Sequence, residues 1–412
     1  MFCAAGMAWL SGAEIACAEQ RLRIVVQSGE YPRRDCPLSV SLPRDVARHV
    51  GGWRLWDVST ETPTPATCQF LGPENSTLAW VLSGSTPPHA IRRFELRPTR
   101  TGEPPLEHAR PSAVNVLSRD TSWDLRIGDR PVLRYHHQRT APPDGIDPVY
   151  ARSGYIHPVW TPAGEIVSDE FPPDHPHQNG IFLAHVKTEF EGRTPDFWNL
   201  KTASGFVRTA EIVSLETGPV CGGFRVRQQH VDNSLPGGKI ALNEFWDVRV
   251  WQSNGEHGWR FDITSTLTCA TAAPVVLKQY HYGGMAFRGA RPWGGERVLF
   301  TTAEGQAREA GNHTRVPWVD LSGKTGERWS GLTVFTDPDN FRFPEPVRLH
   351  PQMPYFVFTP AVLDDWTLTP EHPHVSRYHY HVHDGPQTRE TTERIWREIS
   401  APPSVAISII NE

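Results

Sequence analysis

The chain has 412 residues, a formal net charge of −5, and 15 Trp against 4 Met. That length accommodates two or three domains and a large hydrophobic core, and the weak acidity removes the electrostatic case for nucleic acid or an anionic membrane surface as a partner. No stretch reaches the roughly 18 consecutive apolar residues of a membrane helix, so no membrane span is expected.

Residues 1–18 are small and apolar, and Ala16-Cys17-Ala18 before Glu19 fits a secretory cleavage pattern. This predicts a signal peptide over 1–18 and a periplasmic or extracellular location. Cys36, Cys68, Cys221 and Cys269 then remain, an even number compatible with an oxidising compartment. They are widely spaced without a C-x-x-C, which argues against a cysteine zinc site. From Arg21 onward the pattern is of short strands broken by turns, as in the run Thr77 to Leu82, and 38 Pro with 33 Gly leave little room for long helices. Residues 19–105 read as a compact N-terminal β-module that ends in a linker from Pro98 to Pro105. From Val114 the strands lengthen and become aromatic, so residues 106–412 read as one large antiparallel β-sandwich in an all-β protein.

Chemistry concentrates between Phe171 and Phe182, F-P-P-D-H-P-H-Q-N-G-I-F. Pro172, Pro173 and Pro176 fix φ and forbid a helix interior, so Asp174, His175, His177 and Asn179 sit on a stiff loop and can converge on a ligand, a metal ion or a proton path. The bland alternative is a solvated turn with incidental histidines. His136, His137 and His157 precede this loop, and His157 is a candidate to line the same cleft. Further on, Tyr280-His-Tyr282 leads into Gly283-Gly284, which lets the backbone approach a ligand, and Arg288 follows as a fixed cation. A glycine bulge in a strand explains the pair equally well. Trp318 and Asp320 share one side of an extended segment, as a ring to stack a sugar and a carboxylate to bind its hydroxyls, or simply as an edge strand. In Arg377 to Gly385 strand alternation puts His379, His381 and His383 on one face, about 7 Å apart, too far for all three to ligate one ion. His383, at the end of the strand, is the one assigned to the site. Serine-hydrolase elbows, phosphate loops, H-E-x-x-H and dinucleotide fingerprints are absent.

Taken together, Tyr155 to Glu165, Asp169 to Phe182, Gly283 to Arg288, Trp318 to Gly323 and Val382 to Gly385 resemble the PmoA-like family of soluble bacterial proteins. The chain departs from that pattern at Gln178, where a third His is expected, and at Tyr280-His-Tyr282 before the glycine pair. The family's name refers to a methane oxygenase subunit, which needs membrane spans that this chain lacks. The resemblance implies a secreted β-protein, similar to carbohydrate-active proteins and by fold analogy to the mutarotase-like supersandwich.

The leading functional expectation is a secreted carbohydrate-active enzyme, a lyase or glycoside-cleaving enzyme acting on a sugar, including uronic sugars, by His acid/base chemistry. His175 and His177, or one of them with His383, supply acid and base. Arg288 neutralises a sugar carboxylate or enolate-like oxygen, Asp174, Asn179, Tyr282 and Asp320 hold the substrate, and Trp318 stacks its ring. A positioned cation or a divalent metal stabilises the developing negative charge in this reading. A second reading makes His175, His177 and His383 ligands of a divalent metal ion, and a third is a non-catalytic carbohydrate-binding or cell-surface protein.

Overall fold

The computed structural model describes residues 21–47, 52–99 and 113–410. The signal peptide read at 1–18, and most of the linker, lie outside the described residues.

Alternation of apolar and polar residues builds the N-terminal unit. In Arg21–Gln27 the side chains of Leu22, Ile24 and Val26 are buried while their neighbours are not. A five-stranded sheet runs in the order Ser404–Ile410, Arg21–Gln27, Ile91–Pro98, Trp53–Asp57, Thr64–Ala66, and a three-stranded sheet runs Arg33–Ser41, Thr77–Thr86, Cys68–Leu71. Leu22, Leu38, Leu78, Trp80, Phe94 and Leu96 form the core of this unit, each buried aliphatic or aromatic side chain contributing roughly 1.5–3 kcal/mol. One strand of the unit comes from the far end of the chain, since Arg21 pairs with Ile410 and Gln27 with Ser404. The unit read as 19–105 is therefore completed by residues that the sequence assigned to the large domain.

The rest is the expected large antiparallel sandwich. One sheet has nine strands, ordered Arg315–Val316, Glu345–Leu349, Tyr355–Phe358, Gly284–Arg288, Ile181–Ala184, Tyr155–Val159, Arg130–His136, Ser122–Ile127, Val114–Ser118. The other has eight, ordered Gly205–Glu216, Cys221–Asp232, Lys239–Trp251, Trp259–Cys269, His374–Asp384, Arg328–Thr336, Trp318–Thr325, Val298–Thr302. Register fixes which side chains face inward. Tyr135, Ile156, Ile181, Phe287 and Phe356 pair across successive strands of the first sheet. The same core holds Phe224, Trp246, Phe261, Tyr378, Tyr380 and Val382 of the second. Tyr135 meets Phe224 at 4.5 Å and Phe358 meets Tyr378 at 6.2 Å between ring centroids, so this is the buried seam between the layers.

The two outer faces differ. The helix Arg389–Ser400, capped by the Thr388 hydroxyl accepting from the Thr391 N–H, lies on the eight-stranded sheet, with Ile395 and Trp396 packed on Trp318 and Phe335. Its Glu398 accepts from Arg260 and Arg394, each at 2.6 Å, and Arg33 of the N-terminal unit donates to the Arg397 carbonyl at 2.8 Å. Cys36, Cys68, Cys221 and Cys269 are all free thiols. Among the described residues no helix is long and apolar enough to cross a membrane.

Candidate functional site

On the outer face of the nine-stranded sheet, register aligns Phe182 with Ala286, and Arg288 with Tyr355. The proline-stiffened loop lies over this row and is pinned at both ends. The N–H of Asp169 donates to the Arg288 carbonyl (3.2 Å), the N–H of Gly180 to the Asp169 carbonyl (2.7 Å), and the N–H of Arg288 to the Gly180 carbonyl (2.8 Å). Gly180 has φ +53°, and a Cβ there would collide with the Ile156 carbonyl, so only glycine fits this close approach. Between these pins, the N–H groups of His175 and Gln178 close two successive turns on Pro172 and His175.

A second anchor holds the loop from below. The Arg152 guanidinium donates to the carbonyls of His177 (2.7 Å) and Trp198 (2.6 Å) and lies 3.5 Å over the Trp198 ring. The Trp198 indole N–H donates to the same His177 carbonyl at 2.6 Å. Burial pulls Arg152 down to about 9, which leaves it charged at neutral pH.

The loop thereby walls a cavity of about 490 Å³ whose lining includes Asp174, His175, His177, Asp196, Trp198, Lys201, Tyr280, Tyr282 and Tyr355. Its floor is aromatic: Phe182 stacks flat on Trp198 at 4.4 Å, and Tyr282 meets Tyr355 at 5.9 Å. The His175 ring stands 5.5 Å from His177 and 6.0 Å from His350. His175 Nδ1 is 3.3 Å from Asp174 Oδ2, close enough for an ion pair but too poorly aligned for a hydrogen bond, so that nitrogen has no hydrogen-bond partner.

The environment separates the titratable groups. Burial, reinforced by Arg152, His175 and Arg288, pushes His177 down to about 3. Burial and Arg348 bring His350 to about 4. Burial raises Asp174, but the Arg288 guanidinium and His175 outweigh it and hold the carboxyl below its ordinary range. In Asp196 burial wins over the N–H groups of Asn199 and Trp198, so its pKa is raised.

Of the residues singled out in the sequence, Asp174, His175, His177 and Tyr282 meet in this cavity. Arg288 is buried behind the wall: its Nη1 donates to Gln178 Oε1 at 2.7 Å and its Nη2 is 3.5 Å from Asp174 Oδ1, so it positions the loop and does not line the cavity. Asn179 is fully buried and its Oδ1 accepts the Phe171 N–H at 2.8 Å, which makes it a loop clasp and not a substrate ligand. His157 lies apart from the lining, hydrogen-bonded to Ser168 at 2.9 Å.

Trp318, Asp320 and His383 belong to the opposite outer face, with the full sandwich between them and the cleft. The two sheets alone are separated by about 10 Å. Trp318 and Asp320 do share a side, as alternation requires, but that side is covered by protein: Trp318 is packed under the C-terminal helix. Asp320 Oδ1 takes His383 Nε2 at 3.0 Å and the Thr333 hydroxyl at 2.7 Å, and both residues are buried. The triad His175, His177, His383 is therefore not assembled, and among the described residues no three His, Cys, Asp or Glu gather to hold a metal ion.

Sequence reasoning missed Arg152, Asp196, Trp198, His350 and Tyr355. The run Pro195-Asp-Phe-Trp-Asn-Leu-Lys201, a proline-led polar-aromatic loop like the first, was the available signal for four cavity residues, Asp196, Trp198, Asn199 and Lys201.

The sequence matches a family described as "Family of unknown function (DUF6807)" over residues 122–397, well over half of the chain. No curated protein matches it. Among solved structures the chain is similar to an alpha-mannosidase from Enterococcus faecalis V583, at 11% identity and a TM-score of 0.49, over 95% of this chain and 46% of that one. The chain thus spans less than half the length of that protein.

Proposed function

The chain belongs to the DUF6807 family, whose description gives no function, and we propose that the cleft is the active site of a carbohydrate-active enzyme, a lyase or glycoside-cleaving enzyme acting on an acidic sugar. The observation that carries this reading is the convergence of an Asp174–His175 pair, the His177 imidazole and tyrosines on one aromatic-floored cavity of about 490 Å³, a size and lining suited to a small ligand.

His175 is the proton-transfer group. Asp174 behind it orients the ring and stabilises the imidazolium formed when the ring takes a proton, with the alignment tightening once substrate is bound. His177, neutral down to a pH of about 3, is not a resident acid; it offers a hydrogen bond to the sugar. Tyr355, whose pKa burial raises, stays a hydroxyl donor at neutral pH. Half-buried Tyr282 offers a face for the sugar ring, while Trp198, sandwiched between Phe182 and Arg152, supports the floor beneath it, and Lys201 supplies a cation on the wall. Arg288 acts through Gln178 and Asp174, as a positioning residue.

A second reading, glycoside hydrolysis by carboxylates, is favoured by one observation: Asp174 is held low and Asp196 high, the separation an acid and a base require. A periplasmic or extracellular location rests on Ala16-Cys17-Ala18, and kinship with PmoA-like proteins rests on the Asp174 to His177 motif; both are part of the proposal.

The test is incubation with oligouronides and with neutral oligosaccharides. An unsaturated uronate product, detected by its ultraviolet absorbance and lost in His175→Ala with circular dichroism unchanged, supports the lyase, whereas new reducing ends lost in Asp196→Asn support the hydrolase. Tight binding without either product removes the enzymatic reading, and full activity in both variants removes the roles assigned to His175 and Asp196.

A further inference from the structure

Next to the cleft lies a second cavity of about 530 Å³ that none of the roles above uses. The two share a wall. Tyr150, Trp198, Asn199, Lys201 and Thr202 face the cleft, while their chain neighbours Val149, Ala151, Arg152, Leu200 and Ala203 face the second cavity. Lys201 and Thr202, which also line the cleft, are exposed.

The charge of this second cavity is one-sided. Arg139, Arg152, Arg208 and His137 line it together with Ser153 and Asn233, and no Asp or Glu is among the described residues of its lining. None of the three arginines makes an ion pair with a described residue. Arg139 Nε donates to the Ala151 carbonyl at 3.1 Å, and Arg208 donates twice to the neutral Gln229 Oε1, at 2.9 and 3.1 Å. Arg152, only 3% exposed, leaves its Nε without a hydrogen-bond partner, and the buried His137 Nε2 has none either. Guanidinium groups gathered without carboxylates, with buried donors unspent, form a receptor for an anion. A cavity of neutral lining would suit a neutral sugar; here the exposed Arg139 and Arg208 have only water and neutral acceptors to give up to an incoming anion, and Arg152 meets only carbonyls by hydrogen bond.

We infer that this cavity is an anion-accepting subsite of the same cleft, which takes the acid group of a neighbouring residue in an acidic oligosaccharide, a uronate carboxylate or a sulfate ester. The inference rests on the carbohydrate reading of the cleft. It makes the substrate an oligomer whose chain passes over Lys201 and Thr202, with one sugar in the histidine cleft and the next acidic residue in the arginine-lined cavity.

The test is calorimetric binding of galacturonic acid, its dimer and its trimer, the matching neutral galactose oligomers, and a sulfated trisaccharide. These are compared on the full-length wild type, on Arg139→Gln/Arg208→Gln, and on His175→Ala. Both arginines are exposed, so the double variant is expected to fold, and circular dichroism checks this. The subsite predicts that wild type binds the acidic trimer about tenfold or more tighter than the monomer, the effect of one charge-assisted contact, that neutral oligomers show no such gain, and that the double variant brings the trimer-to-monomer ratio close to one. A sulfated trisaccharide that depends on the two arginines in the same way names sulfate esters as the source of the anion; the uronate trimer alone doing so names carboxylates. A wild-type ratio in the double variant overturns the subsite, and if monomer binding still depends on His175 the active-site reading survives. Absence of binding by every acidic sugar to the wild type overturns both.

Discussion

Arg152→Met is the substitution whose effect the structure specifies most fully. Methionine keeps the apolar stem against the Trp198 ring and removes two charge-assisted hydrogen bonds, to the carbonyls of His177 at 2.7 Å and Trp198 at 2.6 Å. Each such bond contributes about 1.5–3 kcal/mol, while release of a buried guanidinium that has no carboxylate partner offsets part of the loss, for a net local cost of about 2 kcal/mol. The His177 carbonyl keeps its bond from the Trp198 indole, so the sandwich should stay folded and the cost should fall on opening of the loop. Hydrogen exchange of the peptide spanning residues 174–180 should then speed up by roughly 30-fold, with strands such as Trp259–Cys269 unchanged. Exchange in that peptide within about twofold of wild type would refute the view that Arg152 holds the histidine loop in place.

Trp318→Ala should cost about 3–5 kcal/mol by chemical denaturation because the ring is buried under the C-terminal helix, yet leave sugar affinity unchanged; a selective loss of sugar binding would return Trp318 to the site. Gly284→Ala places a Cβ against the Phe358 carbonyl at φ +146° and should destabilise by about 3 kcal/mol, so a melting temperature equal to wild type would show that the strand can yield. For His379, burial lowers the pKa, but Asp262, at 2.7 Å, and Asp337 outweigh it and raise it to about 9. Its folded pKa lies above the unfolded value near 6.5, so its stabilisation should be complete below that pH and be lost as pH rises through about 9. Asp262, held low despite burial by the same histidine, is the acid side of that one pair. His379→Asn should flatten the alkaline limb of a denaturation-versus-pH curve; an unaltered limb would contradict the assignment.

Much of the fold could be read because strand alternation is a local property. Leu22, Ile24 and Val26, or Tyr378, Tyr380 and Val382, declare a buried face within a few residues, and the prolines around Asp174 and His177 declare a stiff loop. Alternation also placed His379, His381 and His383 on a common face, correctly. It could not say what covers that face. The answer depends on a helix beginning at Arg389, which long-range packing lays on Trp318 and Phe335. Asn179 and Arg288 misled for a related reason: side chains suited to ligand binding are equally suited to tying a loop to its scaffold, and only the partners, the Phe171 N–H and Gln178 Oε1, decide. Arg152 was overlooked because its role is to meet two carbonyls, a kind of partner that leaves no trace in side-chain patterns.

The most direct test of the account is a crystal structure of the protein soaked with a galacturonic acid trimer. The account predicts one sugar ring against Tyr282 within hydrogen-bond reach of His175 and His177. Sugar bound on the opposite sheet beside Asp320 and His383, or a histidine cleft left empty while the ligand occupies another surface, would contradict it.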